Sequence, residues 1–196
     1  MFSIETISQN KLVTHLSAEH IERISINGNQ IFSISVSSSN SNQIKIISVL
    51  DGEYQNEFQV DIKEENTTLN LSLERFSFDV IPDDKRNAHK VIAATLQLEI
   101  PQHLDVFITS DIGSVNLEGD FSSLYVELLQ GHCRVDGETK SALINTIDGD
   151  IKVETNSGVI DALSNNGNVV VDYFPKSAST WTLTSINGDI TVEKRY

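Results

Sequence analysis

Four columns of apolar residues recur along the second half of this chain. Counted from Gly113, Gly131, Gly149, Gly167 and Gly188, the second residue onward is Val115, Cys133, Ile151, Val169 or Ile190. The fourth residue onward is Leu117, Val135, Val153, Val171 or Val192. Seven before the glycine stand Val106, Leu124, Ala142, Ile160 and Trp181, and five before it Ile108, Val126, Ile144, Ala162 and Leu183. Mostly polar residues alternate with these columns, which is the period of a strand with one buried face. Helical spacing, with apolar residues three and four apart, is missing.

The first four glycines lie 18 residues apart and the fifth follows after 21. A fixed period near 20 residues predicts stacked coils, because one coil cannot bury its apolar face alone. The expected fold is all-β: a parallel β-solenoid, or single-stranded β-helix, of about 18-residue coils. Each strand would pair with its equivalent one coil later, about 4.8 Å away. Eighteen is also three hexapeptides, as in left-handed β-helices, but the strict hexad is absent, so a right-handed coil is expected. Ile112, Gln130, Asp148, Asn166 and Asn187 precede the glycines, which reads as a corner needing φ > 0. Three before the glycine stand Ser110, Leu128, Thr146, Ser164 and Ser185; the hydroxyls of the four Ser and Thr residues are expected to bond the turning backbone. The three extra residues of the last interval fall in Phe174–Thr180, where Pro175 marks a loop.

The N-terminal part is β-rich but less regular. We divide the chain into a capping or early-coil region, 1–89, and regular coils, 90–196, with one continuous domain as the alternative. Alternation predicts strands at 31–36, 44–50, 58–62 and 69–73, some of them antiparallel. Turns are expected at 37–42, at Asp51-Gly52 and at 64–67, a loop at Pro82–Asn87, and at most one helical turn at 18–24. Ser25-Ile26-Asn27-Gly28 repeats the tetrapeptide at 185–188 and reads as a worn coil, its second strand displaced by one residue. An open terminal coil exposes a strand edge, so a cap is required.

Charge narrows the function. With 28 acidic and 14 basic residues the net charge is −14, and 1–109 and 110–196 each carry −7. A nucleic acid needs a basic stripe and an anionic membrane a basic patch, and neither is visible. There is no transmembrane run, so no direct membrane insertion is expected. Met1–Ile7 lacks the pattern of a signal peptide. The expected location is the cytoplasm for the chain as it stands, or the cell envelope if a leader has been removed.

No cofactor motif and no metal-ligand spacing emerge among His15, His20, His89 and His103. Cys133 shares a column with Val115 and Ile151, so it should point inward as a small hydrophobe, with its neighbour His132 pointing out. The candidate ligand-facing set is the turn ladder Asp148, Asp150, Asn166, Asn168, Asn187 and Asp189, with Ser114 and His132 in the same file. Stacked oxygens there can hold calcium or a sugar. The same residues are ordinary in tight turns, which is the preferred reading. Asp111, Asp136, Asp161 and Asp172 add carboxylates, but no base or acid is paired with them. We expect no catalytic residues and a non-enzymatic protein.

The run Leu98-Glu99-Ile100-Pro101 through Ile108-Thr109-Ser110-Asp111-Ile112-Gly113-Ser114-Val115-Asn116-Leu117, followed by Gly-x-Ile-x-Val coils, resembles the bacterial "putative adhesin" β-strand-repeat families. These include the head GIN auto-transporter-adhesin-like domain. The resemblance covers about 90–196 and implies a parallel β-solenoid of bacterial origin, with no catalytic residues to carry over. The function expected first is an adhesin-like interaction module for a glycan or an envelope protein. The alternatives are a cytoplasmic scaffold of the bactofilin kind, whose copies stack edge to edge through the C-terminal coil, and a carbohydrate-active enzyme with two carboxylates in a groove.

Overall fold

A computed structural model describes residues 3–8, 11–51, 57–75, 93–175 and 177–195. Three quarters of the chain is strand, the described residues include no α-helix, and the mixed sheet does not close into a barrel. The strands are β1 (Ser3–Ser8), β2 (Lys11–Ser17), β3 (Arg23–Asn27), β4 (Ile31–Ser39), β5 (Gln43–Asp51), β6 (Phe58–Glu65), β7 (Thr68–Arg75) and β8 (Ala93–Pro101). They continue as β9 (Asp105–Ile112), β10 (Ser114–Gln130), β11 (Cys133–Asp148), β12 (Ile151–Thr155), β13 (Val159–Ser164), β14 (Val169–Val171), β15 (Thr180–Ser185) and β16 (Ile190–Lys194). The four N-terminal strands expected from alternation are β4, β5, β6 and β7. The loop expected at 82–87 lies outside the described residues, as does Gly52. The helical turn expected at 18–24 is instead a β-turn, closed by Ile21 N–H to Ala18 O at 3.1 Å.

The parallel pairing expected of the coils does not extend through the N-terminal part, where antiparallel strands are expected and found. β1–β2, β2–β5, β5–β8 and β6–β7 are antiparallel. Pairing beyond residue 102 is parallel wherever it is described, and equivalent residues of the repeats lie opposite one another. Val115 faces Cys133, Cys133 faces Ile151, and Val135 faces both Leu117 and Val153. β10 and β11 are long because each bends from one face of the stack to the other. The columns meet in a dry interior: Val135, Val153, Ile144 and Val192 are buried, as are Ile24, Ile26 and Ile108.

Two-strand rungs turn at the glycines: β3/β4 at Gly28, β9/β10 at Gly113, β10/β11 at Gly131, β11/β12 at Gly149, β13/β14 at Gly167 and β15/β16 at Gly188. β3/β4 is a full rung, but the tetrapeptide match is not in register: Ser25 faces Phe107, six before Gly113, whereas Ser185 faces Thr146, three before Gly149. Ile24 and Ile26 lie opposite Val106 and Ile108, and Ile34 lies opposite Val115. The single extra residue is absorbed before Ser33, where Gln30 takes φ 68°.

Rung order departs from chain order at both ends. β12 pairs with β16, and β16 with β14. On the other face β11 pairs with β15, and β15 with β13. The last stretch of chain is therefore inserted between the third and fourth of the five repeats, and Val153 reaches Val171 only through Val192. The crossover from β14 to β15 steps backward while its strands keep their direction, so it has the opposite hand to the crossover from β12 to β13. At the N-terminal end β3/β4 is likewise inserted between β7/β8 and β9/β10.

The glycines are required mainly by stacking. A Cβ at Gly131 would overlap the carbonyl oxygen of Gly113, and one at Gly149 that of Gly131. The series continues from Gly188 onto Gly149 and from Gly167 onto Gly188. Positive φ, expected at every corner, holds only at Gly113 (144°) and Gly131 (134°) among the five. Gly119 and Gly137 form a second such file at the bend of β10 and β11, since a Cβ at Gly137 would overlap Gly119 O. Beneath the corners runs the expected hydroxyl file. Thr146 Oγ1 donates to Gly149 O at 2.7 Å, and Ser185 Oγ donates to the same oxygen at 3.1 Å while accepting from Gly188 N–H at 2.9 Å. Ser164 repeats this with Gly188 O and Gly167 N–H.

Candidate functional site

The six turn-ladder residues come together as one exposed ridge beside the glycine corners. In one file Asn187 Nδ2 donates to Asp148 Oδ1 at 2.6 Å, and Asn166 Nδ2 donates to Asn187 Oδ1 at 2.7 Å. In the other, Asp189 N–H donates to Asp150 Oδ1 at 2.9 Å, and Asn168 N–H to Asp189 Oδ1 at 2.7 Å. His132 Nδ1 accepts from Asp150 N–H at 3.1 Å and extends that file by one rung. The side chains thus brace neighbouring rungs, and the ridge follows rung order rather than chain order. Among the described residues no group of three His, Cys, Asp or Glu side chains is placed to hold a metal.

Cys133 is buried at 1% exposure while His132 is exposed. Burial pushes the Cys133 thiol up to about 12, so it is a packing residue with almost no thiolate at neutral pH. Trp181 is equally buried, between Ala142 on one neighbouring strand and Ile160 on the other. Gly158 makes room for it: a Cβ there would stand 2.6 Å from Trp181 Cδ1.

A second surface was not singled out by the sequence pattern. Across β8, β4, β10 and β11 lies a groove of about 540 Å³. Its polar lining comes from Gln97, Ser35, Asn116 and Arg134 in one row and Ser37, Glu118 and Asp136 in the next. Strand register fixes these rows, since Ser35 faces both Gln97 and Asn116, Asn116 faces Arg134, and Ser37 and Asp136 both face Glu118. The signal existed in the sequence as the outward residues between the apolar columns, but only the stacking of β8 on β4 and of β4 on β10 assembles it.

The second row continues as a carboxylate file through Glu154 and Glu193. Like charges directly opposite repel, and cations are interleaved here. Arg134 reaches Glu154 at 2.8 Å, Lys152 reaches Glu193 at 3.0 Å and Glu154 at 3.3 Å, and Arg195 reaches Asp136 at 2.7 Å. Hydrogen bonds to Glu193 and then Glu154 hold the Lys152 ammonium above its usual range. On the opposite face Phe107 and Tyr125 stack at 4.4 Å with planes 6° apart. Their ring faces are turned toward each other, so the pair is not a flat platform for a sugar ring.

Fold and surfaces together define a class: an all-β stack of paired rungs with a dry core and polar, register-ordered outer faces. No protein-family model and no curated protein matches the sequence. Among solved structures, the chain is similar to a "putative cell adhesion protein" of Clostridium sporogenes. The TM-score is 0.67 at 12% identity, covering 98% of this chain and 100% of the other. A "putative adhesin" of Bacteroides fragilis aligns at TM-score 0.39 and 12% identity over 96% and 98% of the two chains. A "putative lipid binding protein" of Parabacteroides distasonis aligns at 0.29 and 10% identity over 95% and 98%. The first establishes a shared fold; the other two, at those scores, add nothing to it.

Proposed function

We propose that this chain is a β-solenoid, its in-order crossovers right-handed, that works as a non-enzymatic, adhesin-like interaction module. Its binding face is the groove across β8, β4, β10 and β11, and its ligand is a glycan at the cell envelope. The observation that carries this reading is the register-locked pair of polar rows. Amide, hydroxyl, guanidinium and carboxylate groups repeat at strand spacing, and a hydroxyl-rich chain can be read by such donors and acceptors without deforming the scaffold. Rigid placement on paired strands lowers the ordering cost of binding. Glu118 and Asp136 lie side by side in the groove, as a carbohydrate-active enzyme would require. Asp136 is already engaged by Arg195, which supports a binding rather than a catalytic role.

The test is a glycan array probed with the full chain, followed by calorimetry on any hit. An N116A/R134A double variant changes two exposed side chains and should keep the fold. Binding of a glycan that weakens at least tenfold in the variant supports the proposal. No binding across the array, unchanged affinity in the variant, or cleavage of the bound glycan refutes it.

A further inference from the structure

The two ends of the stack are finished differently. At one end the outermost strand of its face is β6, antiparallel to β7. It carries Asp61, Lys63, Glu64 and Glu65, with Lys63 paired to Asp61 at 2.7 Å. Charged residues on an edge strand are a common device against unwanted pairing. At the other end the outermost strands are β13 and β14, and among the described residues nothing pairs with their outer edges. Asp161 is their one charged residue. Val159, Leu163 and Val170 are 53%, 59% and 58% exposed, Val169 and Val171 are each 41% exposed, and the adjoining Tyr173 is 84% exposed. Val169 and Val171 belong to inward columns, so this end opens directly onto the core.

We infer that β13 and β14 form the interface of a closed, two-fold dimer with a second copy of this chain. Bare backbone edges pair with strands, and the charge-guarded β6 is a poor partner for head-to-tail growth. On the other face of that end β1 is outermost, so a head-to-tail contact could engage one face only, whereas a like edge engages both. A two-fold axis normal to the sheets sets β13 antiparallel to its copy and β14 antiparallel to its copy, so both faces continue into the partner. Register is constrained, because opposed residues must lie on the same face. Pairing about Ala162 and Val170 satisfies this: Val169 meets Val171 of the copy, and the two Asp161 carboxylates do not oppose each other. At the exposures above, the apolar side chains present roughly 600 Å² per copy, so the contact buries at most about 1,200 Å², at the lower end for a stable interface. Such a contact consumes both bare edges and stops growth at two.

The inference is independent of the proposed glycan site, and sedimentation velocity of the full chain tests it over a range of concentration and at moderate salt, which screens the net charge. The expected species has twice the 21.7 kDa mass of the chain. V170K and L163K, both at exposed outward positions, should each convert it to monomer without changing the far-ultraviolet circular dichroism, whereas N116A/R134A should leave it dimeric. A wild-type monomer at several hundred micromolar, a dimer that survives V170K and L163K together, or mass that grows without limit as concentration rises would each overturn the inference.

Discussion

Replacing Gly149 by alanine separates two explanations for the glycine corners. If the corners demanded positive φ, Gly149 would tolerate alanine, since only Gly113 and Gly131 among the five have it. Alanine would even gain about 0.4–1 kcal/mol by restricting the unfolded chain. The stacking argument predicts the opposite. The new methyl would drive into Gly131 O, and the rung cannot retreat because β15/β16 lies on its other side. Insertion of a methyl into close packing typically costs 1–3 kcal/mol. With backbone on both sides we expect about 3 kcal/mol for Gly149→Ala, or roughly 6–12 °C in Tm for a chain of this size. Gly167→Ala, measured in the V170K monomer, makes the matching overlap with Gly188 O, but from the outermost rung, which there has room to move outward. About 1 kcal/mol is expected there. Urea unfolding followed by Trp181, the only tryptophan, gives both values, with circular dichroism to check that the transitions coincide. A Gly149→Ala loss below 0.5 kcal/mol, or a larger loss at Gly167, would refute the stacking account.

Two further outcomes are expected of the core. Native Cys133 should react with a thiol reagent at pH 8 at least a hundredfold more slowly than free cysteine, because about one thiol in ten thousand is ionised at a value near 12; rapid labelling would show that the site opens. The folded state here holds its proton above the pH where the unfolded thiol loses it, so stability falls as pH rises from about 8.5 toward 12. Cys133→Val should flatten that decline relative to wild type in pH-dependent urea titrations, and an equal slope in both would contradict the burial. Ser185→Ala strands the buried Gly188 N–H and should cost about 1–3 kcal/mol, more than Ser164→Ala on the outer rung, as measured by the urea midpoint.

The apolar columns were legible because a stacked fold repeats side-chain size at fixed intervals, and they put Cys133 and Trp181 inside. The hydroxyl file was legible for the same reason. Rung order was not, since a column records which residues lie over one another without recording their sequence along the stack. Two hints existed. The corner Ile186-Asn187-Gly188-Asp189-Ile190 resembles Ile147-Asp148-Gly149-Asp150-Ile151 more closely than either resembles Asn165-Asn166-Gly167-Asn168-Val169, and the first two are the spatial neighbours. The longer interval holds the segment that crosses back. The expectation that the C-terminal coil is the open edge failed on this point: β16 is enclosed, and β14 is outermost. The groove escaped notice because it depends on β4 and β8, whose partners lie far away in the chain.

The enclosed carboxyl-terminal rung also bears on how the protein is made. Residues 159–171 leave the ribosome before 180–194, yet among the described residues their strand neighbours are all in that later segment. Growth by adding each new turn to the last must therefore halt after β12 until 180–194 has been made. A chain cut short after residue 175 would lose two layers rather than one, since the penultimate stretch would have nothing to lie against.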